Sequence, residues 1–413
     1  MKTYKSWLAL TLTAAFSVSS YASAQTTINA LFMSQAAYSK NDIEAMTQDF
    51  SKANPDIKVN LEFVPYEALH DKIIAAKGAG ANGYDVVLYD VIWPAEFAKF
   101  KVLKDVTQRI DPSLQDQIFK GAWTTVQYDH KYWGMPWILD TKYLFYNKKI
   151  LKEAGIQHPP KTLQELYDQA SLIKQKGLVK YPLVWSWSQS EALICDYTTL
   201  TSAYQGKFFN NGQPQFATGG ALEALTFMKK TLDSGLSNPN SREYLEEDVR
   251  KVFSSGDAAF AMNWTYMYNL ANDPKQSQIA GEVGVVPMPG DDTQHVAAVN
   301  GSMGLGITQA SQYPDADWKY ISYLTSQKVQ EKYAKLSLPI WKSSYDKPAI
   351  QQGQEELVEA AKQSIGAMFA RPQTAQYPRL SNTLQQQLQL VLQGKQPAEK
   401  SMQRADRVIS RLH

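Results

Sequence analysis

The sequence has 413 residues, 42 of them basic and 40 acidic, and a formal net charge of +2. Hydrophobic residues make up 44% and charged residues 20%, which is typical of a well-packed globular protein and excludes dominant disorder. The length suggests two or three domains. The surplus lysines, Lys2 and Lys5, lie in a segment that we expect to be removed. A nucleic-acid binder or a protein of anionic membrane surfaces would carry a basic surplus, so the charge argues against both.

The first 24 residues carry the pattern of a secretory signal peptide. Two lysines precede an apolar run of 12 residues from Trp7 to Val18, and Ala22-Ser23-Ala24 supplies the small-x-small cleavage pattern. The run is too short for a permanent transmembrane helix, which needs roughly 20 residues. We predict cleavage after Ala24 and a mature protein exported to the periplasm. No cysteine follows the run, so we expect no lipid anchor.

Cys195 is the one cysteine of the chain, so an internal disulfide bond is excluded. It lies in the apolar stretch Leu193-Ile194-Cys195. We interpret it as a buried, inert thiol and not as a nucleophile.

The mature chain opens with alternating strand and helix patterns. A helix with apolar residues at helical spacing ends at Asn54, before Pro55, and a shorter helix follows around Leu69 and Ile73. The resulting β-α-β-α-β order implies parallel strands joined by right-handed crossovers. The three predicted strands are Thr27–Met33, Ile57–Phe63 and Tyr84–Tyr89.

A similar alternation follows after about residue 140. The sequence from Thr162 to Glu165 forms a capping box that predicts a helix start. Strands are predicted at Tyr181–Trp185 and Asp257–Met262, and a helical tail from about Ser381. The chain lacks a loose linker, which favours two α/β lobes joined by short crossing strands.

Planar polar and aromatic side chains follow several predicted strands. Ligands of open parallel sheets bind beyond the carboxyl ends of the strands. Carboxylates and guanidinium groups can bond neighbouring hydroxyls in pairs, and an aromatic face can cover the C–H side of a sugar ring. The mixture therefore favours a neutral, polyhydroxylated ligand. The residues concerned are Ser34, Gln35, Tyr38, Asp90, Trp93, Asn263, Trp264, Tyr266, Gly301 and Ser302.

The usual catalytic and metal-binding patterns are absent from the sequence. None of the five histidines lies three or four residues from another, so the helical metal-ligand spacing is missing. The segment from Gly78 to Gly83 matches G-x-G-x-x-G, but it follows a helix and precedes a strand, so we interpret it as a turn. We expect no cofactor, no metal and no catalytic residue. Carboxylates are numerous, so spacing alone leaves a glycosidase pair open.

A set of motifs spaced along the whole mature chain resembles a known family. The central one is GMPWILDTKYLFYNK, from Gly134 to Lys148. Others are the segments 154–156 (AGI), 159–162 (PPKT), 253–260 (FSSGDAAF), 285–290 (VVPMPG) and 370–372 (ARP). In this order they resemble family 1 extracellular solute-binding proteins of ABC importers, in the branch of maltose, trehalose and glycerol-phosphate binders.

The resemblance implies a two-lobed periplasmic binding protein fold of type II. Each lobe would be a mainly parallel sheet flanked by helices, with a hinge between the lobes. The N-terminal lobe would comprise residues 25–136 and 291–338, and the C-terminal lobe 137–290 and 339–413. The protein would capture a mono- to oligosaccharide by lobe closure and deliver it to a membrane ABC permease. It would act as a monomer, without catalysis and without a nucleic-acid partner.

The family pattern also implies site residues. Asp90 matches an acid that bonds sugar hydroxyls, and Asp140 matches the acid after the first crossing between lobes. Gly301 matches a backbone contact, while Ser302 stands where relatives often carry an aromatic residue. The full predicted ligand set is Asp90, Asp140, Trp264, Tyr266, Gly301, Ser302, Arg371, Tyr38 and Trp93.

Each of these positions has an alternative role. Asp90 could cap the following helix, Asp140 could brace the crossing strands, and Arg371 could belong to a surface ion pair. Trp264 and Tyr266 could belong to the core, and Tyr38 and Trp93 are assigned to packing more readily than to contact.

Two rival functions stay open at this point. An exported carbohydrate-active enzyme would use Asp90 and Asp140 as its carboxylate pair. The same fold could also hold a phosphorylated polyol, another anion or a chelated metal, although Arg371 is the only cleft cation suggested.

Overall fold

The computed structural model describes residues 25–34, 37–78 and 83–412. The predicted signal peptide, Gln35 and positions 79–82 of the glycine motif lie outside these described residues. In the described part of the chain no helix combines the length and the apolar character needed to cross a bilayer.

Over the described residues the chain forms fourteen strands, numbered here in chain order. Five build a first sheet, five build a second sheet, and two short hairpins supply the remaining four. The strands are β1 Thr26–Met33, β2 Ile57–Val64, β3 Val86–Asp90, β4 Gln127–Tyr128, β5 Lys131–Tyr132, β6 Met135–Ile138, β7 Lys142–Asn147, β8 Leu183–Val184, β9 Phe209–Asn210, β10 Gln213–Pro214, β11 Phe260–Trp264, β12 Val283–Pro289, β13 Val296–Ala297 and β14 Met303–Ile307.

Helices cover the faces of both sheets. The first begins with a capping box, in which the Ser39 hydroxyl accepts the Asp42 N–H and the Asp42 carboxylate accepts the Ser39 N–H. The described α-helices are α1 Lys40–Ala53, α2 Tyr66–Lys77, α3 Pro94–Lys99, α4 Lys120–Trp123, α5 Lys148–Ala154, α6 Leu163–Gln175, α7 Glu191–Ala203, α8 Gly219–Asp233, α9 Glu246–Ser254, α10 Tyr266–Ala271, α11 Pro314–Thr325, α12 Gln327–Lys332, α13 Pro348–Gln351, α14 Glu355–Ile365, α15 Tyr377–Leu392 and α16 Ala398–Ile409.

The predicted helix start at Thr162 is confirmed, with one difference in its cap. The Thr162 hydroxyl accepts the Glu165 N–H at 3.1 Å. The Glu165 carboxylate, however, accepts the N–H of Lys161 at 2.9 Å and not that of Thr162. The helical tail is also confirmed, as α15 and α16.

The first sheet has the strand order β2-β1-β3-β14-β6. As predicted from the β-α-β-α-β pattern, β1 pairs in parallel with both β2 and β3. Strand β14 is antiparallel to its neighbours β3 and β6, so four of the five strands share one direction.

The second sheet has the order β13-β12-β7-β11-β8. Strands β8, β11 and β12 share one direction, and β7 runs opposite to β11 and β12. Strand β7 follows the chain crossing from β6, and β14 follows the return from β13. Each therefore starts at the junction between the sheets and runs away from it, which the β-α-β pattern does not predict.

Each sheet has its own hydrophobic core. One cluster surrounds β1, β3, β6 and β14, and two further clusters lie on the two faces of the second sheet. Trp185 and Trp187 both belong to one of the two clusters of the second sheet, and their rings stack with centroids 5.2 Å apart. Two separate cores are the arrangement expected of two lobes.

The sheets extend past two of the predicted lobe limits. Residues 137–138 are part of β6 in the first sheet, and β13 at 296–297 belongs to the second sheet. The strands thus put the crossings between 138 and 142 and between 297 and 303. The lobe limits as such stay a prediction.

Candidate functional site

A cavity of about 260 Å³ lies at the junction of the two sheets. Its volume is near the lower end of small-molecule sites, which span roughly 300–1,000 Å³. Strands β1, β3, β6 and β11 end at it, and β14 starts there. From the first-sheet side it is lined by Met33, Ala37, Tyr66, Glu67, Asp90, Ile138 and Met303; from the crossings by Asp140 and Gly301; and from the second-sheet side by Glu191, Ala192, Cys195, Leu245, Glu246, Glu247, Asp248, Trp264 and Arg371.

Arg371 joins the two sides of the cavity through buried ion pairs. Its Nη2 donates to Asp90 Oδ1 at 3.0 Å, and its Nη1 donates to Glu191 Oε1 at 2.7 Å. The side chain is 1% exposed, so the predicted alternative of a surface ion pair is wrong. Burial alone would lower the pKa of Arg371, but the Asp90 carboxylate and its other neighbours outweigh this and raise it.

The carboxylates paired with Arg371 have further donors. The Tyr66 hydroxyl donates to Asp90 Oδ2 at 2.9 Å. The Ser381 hydroxyl donates to Glu191 Oε2 at 2.6 Å, and the Tyr377 hydroxyl donates to Oε1. Burial raises the pKa of Glu191, against the opposing effects of Arg371 and these hydroxyls. Each charge of the set is thus paired and hydrogen-bonded, as buried charges require, and the Arg371 Nε is the one atom of the guanidinium without a partner in the described part of the chain.

Asp90 is the last residue of β3 and does not cap the helix that follows. The N-cap position of α3 is Trp93, whose side chain makes no capping bond. Asp90 Oδ1 accepts the N–H of Ile92 at 3.2 Å, which tightens the turn between strand and helix. The capping alternative for Asp90 is therefore wrong.

Asp140 lies in the first crossing, lines the cavity and also braces the junction. Its Oδ1 accepts from the Thr141 N–H at 2.8 Å and from the Thr265 hydroxyl at 2.7 Å. Its carbonyl accepts the Gly301 N–H at 3.0 Å, which ties the two crossings together. Burial raises the pKa of Asp140 to about 7, although these hydrogen bonds oppose the shift.

Trp264 ends β11, two residues beyond the end predicted for that strand, and its ring faces the cavity wall. The indole N–H donates to Glu246 Oε1 at 3.2 Å. Gly301 packs directly against the ring, because a Cβ atom added at Gly301 would overlap its six-membered part. Because Gly301 has no side chain, the Trp264 ring can occupy this space.

Four residues of the predicted ligand set do not line the cavity. Ser302 is fully buried behind Asp140, whose N–H it accepts at 3.4 Å, and Tyr266 packs behind Trp264. Tyr38 packs on Trp137, with ring centroids 4.9 Å apart. Trp93 stacks behind Tyr66 at 5.9 Å, so Tyr66 and not Trp93 presents its ring to the cavity. Tyr38 and Trp93 therefore pack against neighbouring rings, which is the alternative role given for them above.

Helix starts bring to the cavity three residues that were not predicted from the sequence. Tyr66 begins α2, Glu191 begins α7 and Glu246 begins α9. Helix N-termini favour acidic groups, so an acidic residue at a helix start was the available signal. The two charged sites that it would have indicated are Glu191 and the run Glu246-Glu247-Asp248.

Acidic side chains dominate the cavity lining. Seven carboxylates line it, and Arg371 is the one basic residue that does so among the described residues. Glu246 also lies 3.4 Å from Lys142, and both carboxylate oxygens of Glu247 accept from the Arg250 guanidinium. The remaining field is negative, which disfavours an anionic ligand.

Cys195 lines the cavity wall and is 4% exposed, so its predicted burial is confirmed. Burial raises the pKa of its thiol, which disfavours the nucleophilic thiolate. Within the described ranges, the residues placed closely enough to hold a metal are Asp291, Asp292 and His295, outside the cavity lining. Two of them already bond each other, since His295 Nδ1 is 2.9 Å from the Asp292 carboxylate.

Two sheets with separate cores and a solute-sized cavity between them define a two-lobed periplasmic binding protein fold. Residues 35–331 match the family described as bacterial extracellular solute-binding protein, so the chain belongs to that family. The resemblance predicted from the sequence motifs is thereby confirmed.

Solved structures and curated relatives agree with this assignment. Maltose-bound MalE3 of T. maritima is similar at 28% identity with a TM-score of 0.87, covering 94% of this chain and 100% of its own. An ABC transporter solute-binding protein of Thermotoga lettingae bound with α-D-tagatose is 25% identical, with a TM-score of 0.82 and coverage of 93% and 99%. A Deinococcus radiodurans protein named "Probable ABC transporter-binding protein" is 29% identical over 264 residues, 62% of each chain.

Proposed function

We propose that this solute-binding protein captures a neutral sugar or related polyol in the cavity and delivers it to an ABC permease. The observation that carries the proposal is the cavity itself, because both sheets contribute to its wall. Trp264 and Tyr66 supply aromatic rings, and hydrogen-bonded carboxylates supply acceptors for hydroxyl groups. The similar proteins that hold maltose and tagatose support the same class of solute.

The charge of the cavity supports a neutral solute over a phosphorylated polyol. Seven carboxylates face one guanidinium, and that guanidinium already donates to Asp90, Glu191 and the Asn300 carbonyl. A phosphate would need several free cationic donors. The anionic alternative therefore lacks support from the cavity.

Binding without catalysis is also part of the proposal. The Asp90 carboxylate is committed to Arg371 and Tyr66, and Asp140 Oδ1 to Thr265 and Thr141. A glycosidase pair would need, besides a proton donor such as Asp140, a second carboxylate free to attack or activate water, and both oxygens of Asp90 are already bonded. Formation of any product after incubation with maltose or longer oligosaccharides would contradict this part.

A ligand panel tests the solute class. Thermal shift and calorimetry with maltose, glucose, tagatose and a pentitol should give stabilisation by at least one compound, with one site per chain. Glucose 6-phosphate should not stabilise the protein. Stabilisation by the phosphate alone, or by none of the neutral compounds, would overturn the assignment.

We also propose that the chain is exported with cleavage after Ala24, binds as a monomer and folds into two lobes near the predicted limits. The signal pattern at residues 1–24 supports the cleavage, and the two separate cores support the two lobes. Mass spectrometry of the exported protein gives the cleavage site, and light scattering gives the oligomeric state. A retained N-terminus or a dimer would contradict them.

A further inference from the structure

Lys142 is fully buried, although lysine is among the residues least often found inside proteins. It begins β7, directly after the chain crosses from the first sheet, and it pairs opposite Trp264 in the ladder with β11. Taking an ammonium group out of water costs free energy unless the charge is paired and hydrogen-bonded. A lysine at this position therefore depends on partners in the second sheet and α7.

Those partners form a closed polar network. The Lys142 ammonium donates to the Asp196 carboxylate and to Ser186 Oγ, the latter at 2.8 Å. Ser186 in turn donates to Asp196 through its N–H at 3.1 Å and its hydroxyl at 3.2 Å. Burial alone would lower the pKa of Lys142, but the Asp196 and Glu246 carboxylates outweigh it and raise the pKa. The lysine thus stays charged.

The same ammonium also reaches the cavity wall by two routes. Lys142 Nζ lies 4.9 Å from the centroid of the Trp264 ring, within the range of about 6 Å for a cation–π contact. It is also 3.4 Å from Glu246 Oε1, the atom that accepts the Trp264 indole N–H at 3.2 Å. Lys142 therefore contacts the face of the Trp264 ring directly, and it pairs with Glu246, which bonds the indole N–H at the edge of the ring.

We propose that Lys142 is a positioning residue for the solute site, which holds Trp264 and Glu246 in place without touching the solute. The competing explanation is that the Lys142–Asp196 pair only fastens α7 to the second sheet. Removal of the pair would then change stability and leave the Trp264 ring where it is. The effect on the ring does not depend on the proposed function, whereas the effect on solute affinity does.

The ring is followed by NMR in the ligand-free protein. The indole N–H resonance of Trp264 is assigned by its loss in Trp264→Phe. The double variant Lys142→Met with Asp196→Asn removes both charges, so that neither is left buried and unpaired. We expect the resonance to shift and broaden. An unchanged resonance in the folded double variant would overturn the proposal.

Lys148 provides the matched control. It follows the other end of β7, pairs with Glu356 at 2.6 Å and has 37% of its side chain exposed. Lys148→Met should leave the Trp264 resonance and the solute affinity unchanged. A shift of the same size in Lys148→Met would show that any lost charge beside the strand perturbs the ring, and would contradict a specific role of Lys142.

Affinity for maltose, or for the neutral sugar that the panel identifies, gives the second readout. The double variant should bind about tenfold more weakly, because an indole that is no longer held at its face and edge contacts the sugar less well. In a Trp264→Ala background the same changes should cause no further loss. Equal losses in both backgrounds would show that Lys142 acts independently of the ring.

A second substitution covers the case in which the double variant does not fold. Lys142→Gln combined with Asp196→Asn keeps a side-chain donor at position 142 and leaves no buried charge, and the same two results are expected of it. If no sugar binds to the unaltered protein, the proposed function fails, and the indole resonance still decides whether Lys142 positions the ring.

Discussion

The Trp264 ring is anchored at its edge by Glu246 and offers its surface to the cavity. Trp264→Ala should weaken binding of a neutral sugar by about 1–3 kcal/mol, because a large apolar contact face is lost. Calorimetry measures the change. Trp318→Ala, which removes a half-buried indole from α11, serves as the control and should leave the affinity unchanged. Equal affinities of the Trp264 variant and the unaltered protein would place the ring outside the contact surface.

Gly301 should be as important as the ring it touches. The added methyl group of Gly301→Ala would overlap Trp264 and displace the indole. We expect at least roughly fivefold weaker sugar binding, because a displaced indole makes fewer van der Waals contacts with the sugar. Gly366→Ala is the matched control, because a Cβ atom there meets open space. Full affinity of the Gly301 variant would show that the ring has room to move.

Asp140 makes the stability of the protein depend on pH. Its folded-state pKa is raised from 3.8 to about 7 by burial, so the folded protein holds this proton more tightly than the unfolded chain. The contribution is fully present below about pH 4 and is lost as the pH rises through about 7. Asp140→Asn should therefore flatten the fall in melting temperature between pH 4 and pH 7.

The pH measurement needs two reference points. Burial also raises the pKa of Asp196 to about 6 and that of Asp317 to about 7, so part of the slope should remain in Asp140→Asn. The exposed Asp129→Asn should keep the whole slope. If Asp140→Asn retains the slope of the unaltered protein, the carboxyl group is not held protonated in the fold.

At the scale of elements, Arg371 connects β3 with α7 and the segment before α15. Arg371→Met should lower the free energy of unfolding by about 3–5 kcal/mol, because it leaves the buried Asp90 and Glu191 carboxylates without their cation. Denaturant titration measures the loss. Affinity should fall as well, since Asp90 is then free to turn away from the cavity.

A surface pair supplies the comparison for Arg371. Arg109 bonds Asp315 at 2.7 Å, with 33% and 91% of the two side chains exposed. Exposed ion pairs contribute about 1 kcal/mol or less, so Arg109→Met should cause only a small change. Similar losses in the two variants would mean that the Arg371 pairs are as well hydrated as the surface pair.

The strands also show which features can be predicted from the spacing of apolar residues along the sequence. Alternating apolar residues located β2, and the order of strands and helices gave the parallel pairing of β1, β2 and β3. The reversed directions of β7 and β14 did not follow from it. They depend on the chain crossing between the sheets, which local periodicity does not record.

At the scale of the whole molecule, two cores with a cavity between them should allow closure around a solute. A sugar that contacts both sides favours the closed arrangement by its differential affinity for that state. Saturating maltose, or the sugar found in the panel, should raise the melting temperature and reduce the radius of gyration in small-angle scattering.

The control for closure is the Trp264→Ala variant at the same sugar concentration, which should show a smaller change in both quantities. A sugar that stabilises the protein without making it more compact would argue that the lobes do not move on binding.

The sequence by itself determined the fold class and the family. It also predicted nine site residues, of which five line the cavity: Asp90, Asp140, Trp264, Gly301 and Arg371. These lie in motifs or at strand ends, where position along the chain predicts position in the sheet. Only the tertiary structure decided that Ser302 and Tyr266 lie behind other residues and that Tyr66 covers Trp93. It also brought Glu191, Glu246 and Lys142 to one place, because contacts between residues far apart in sequence depend on packing and leave no local pattern.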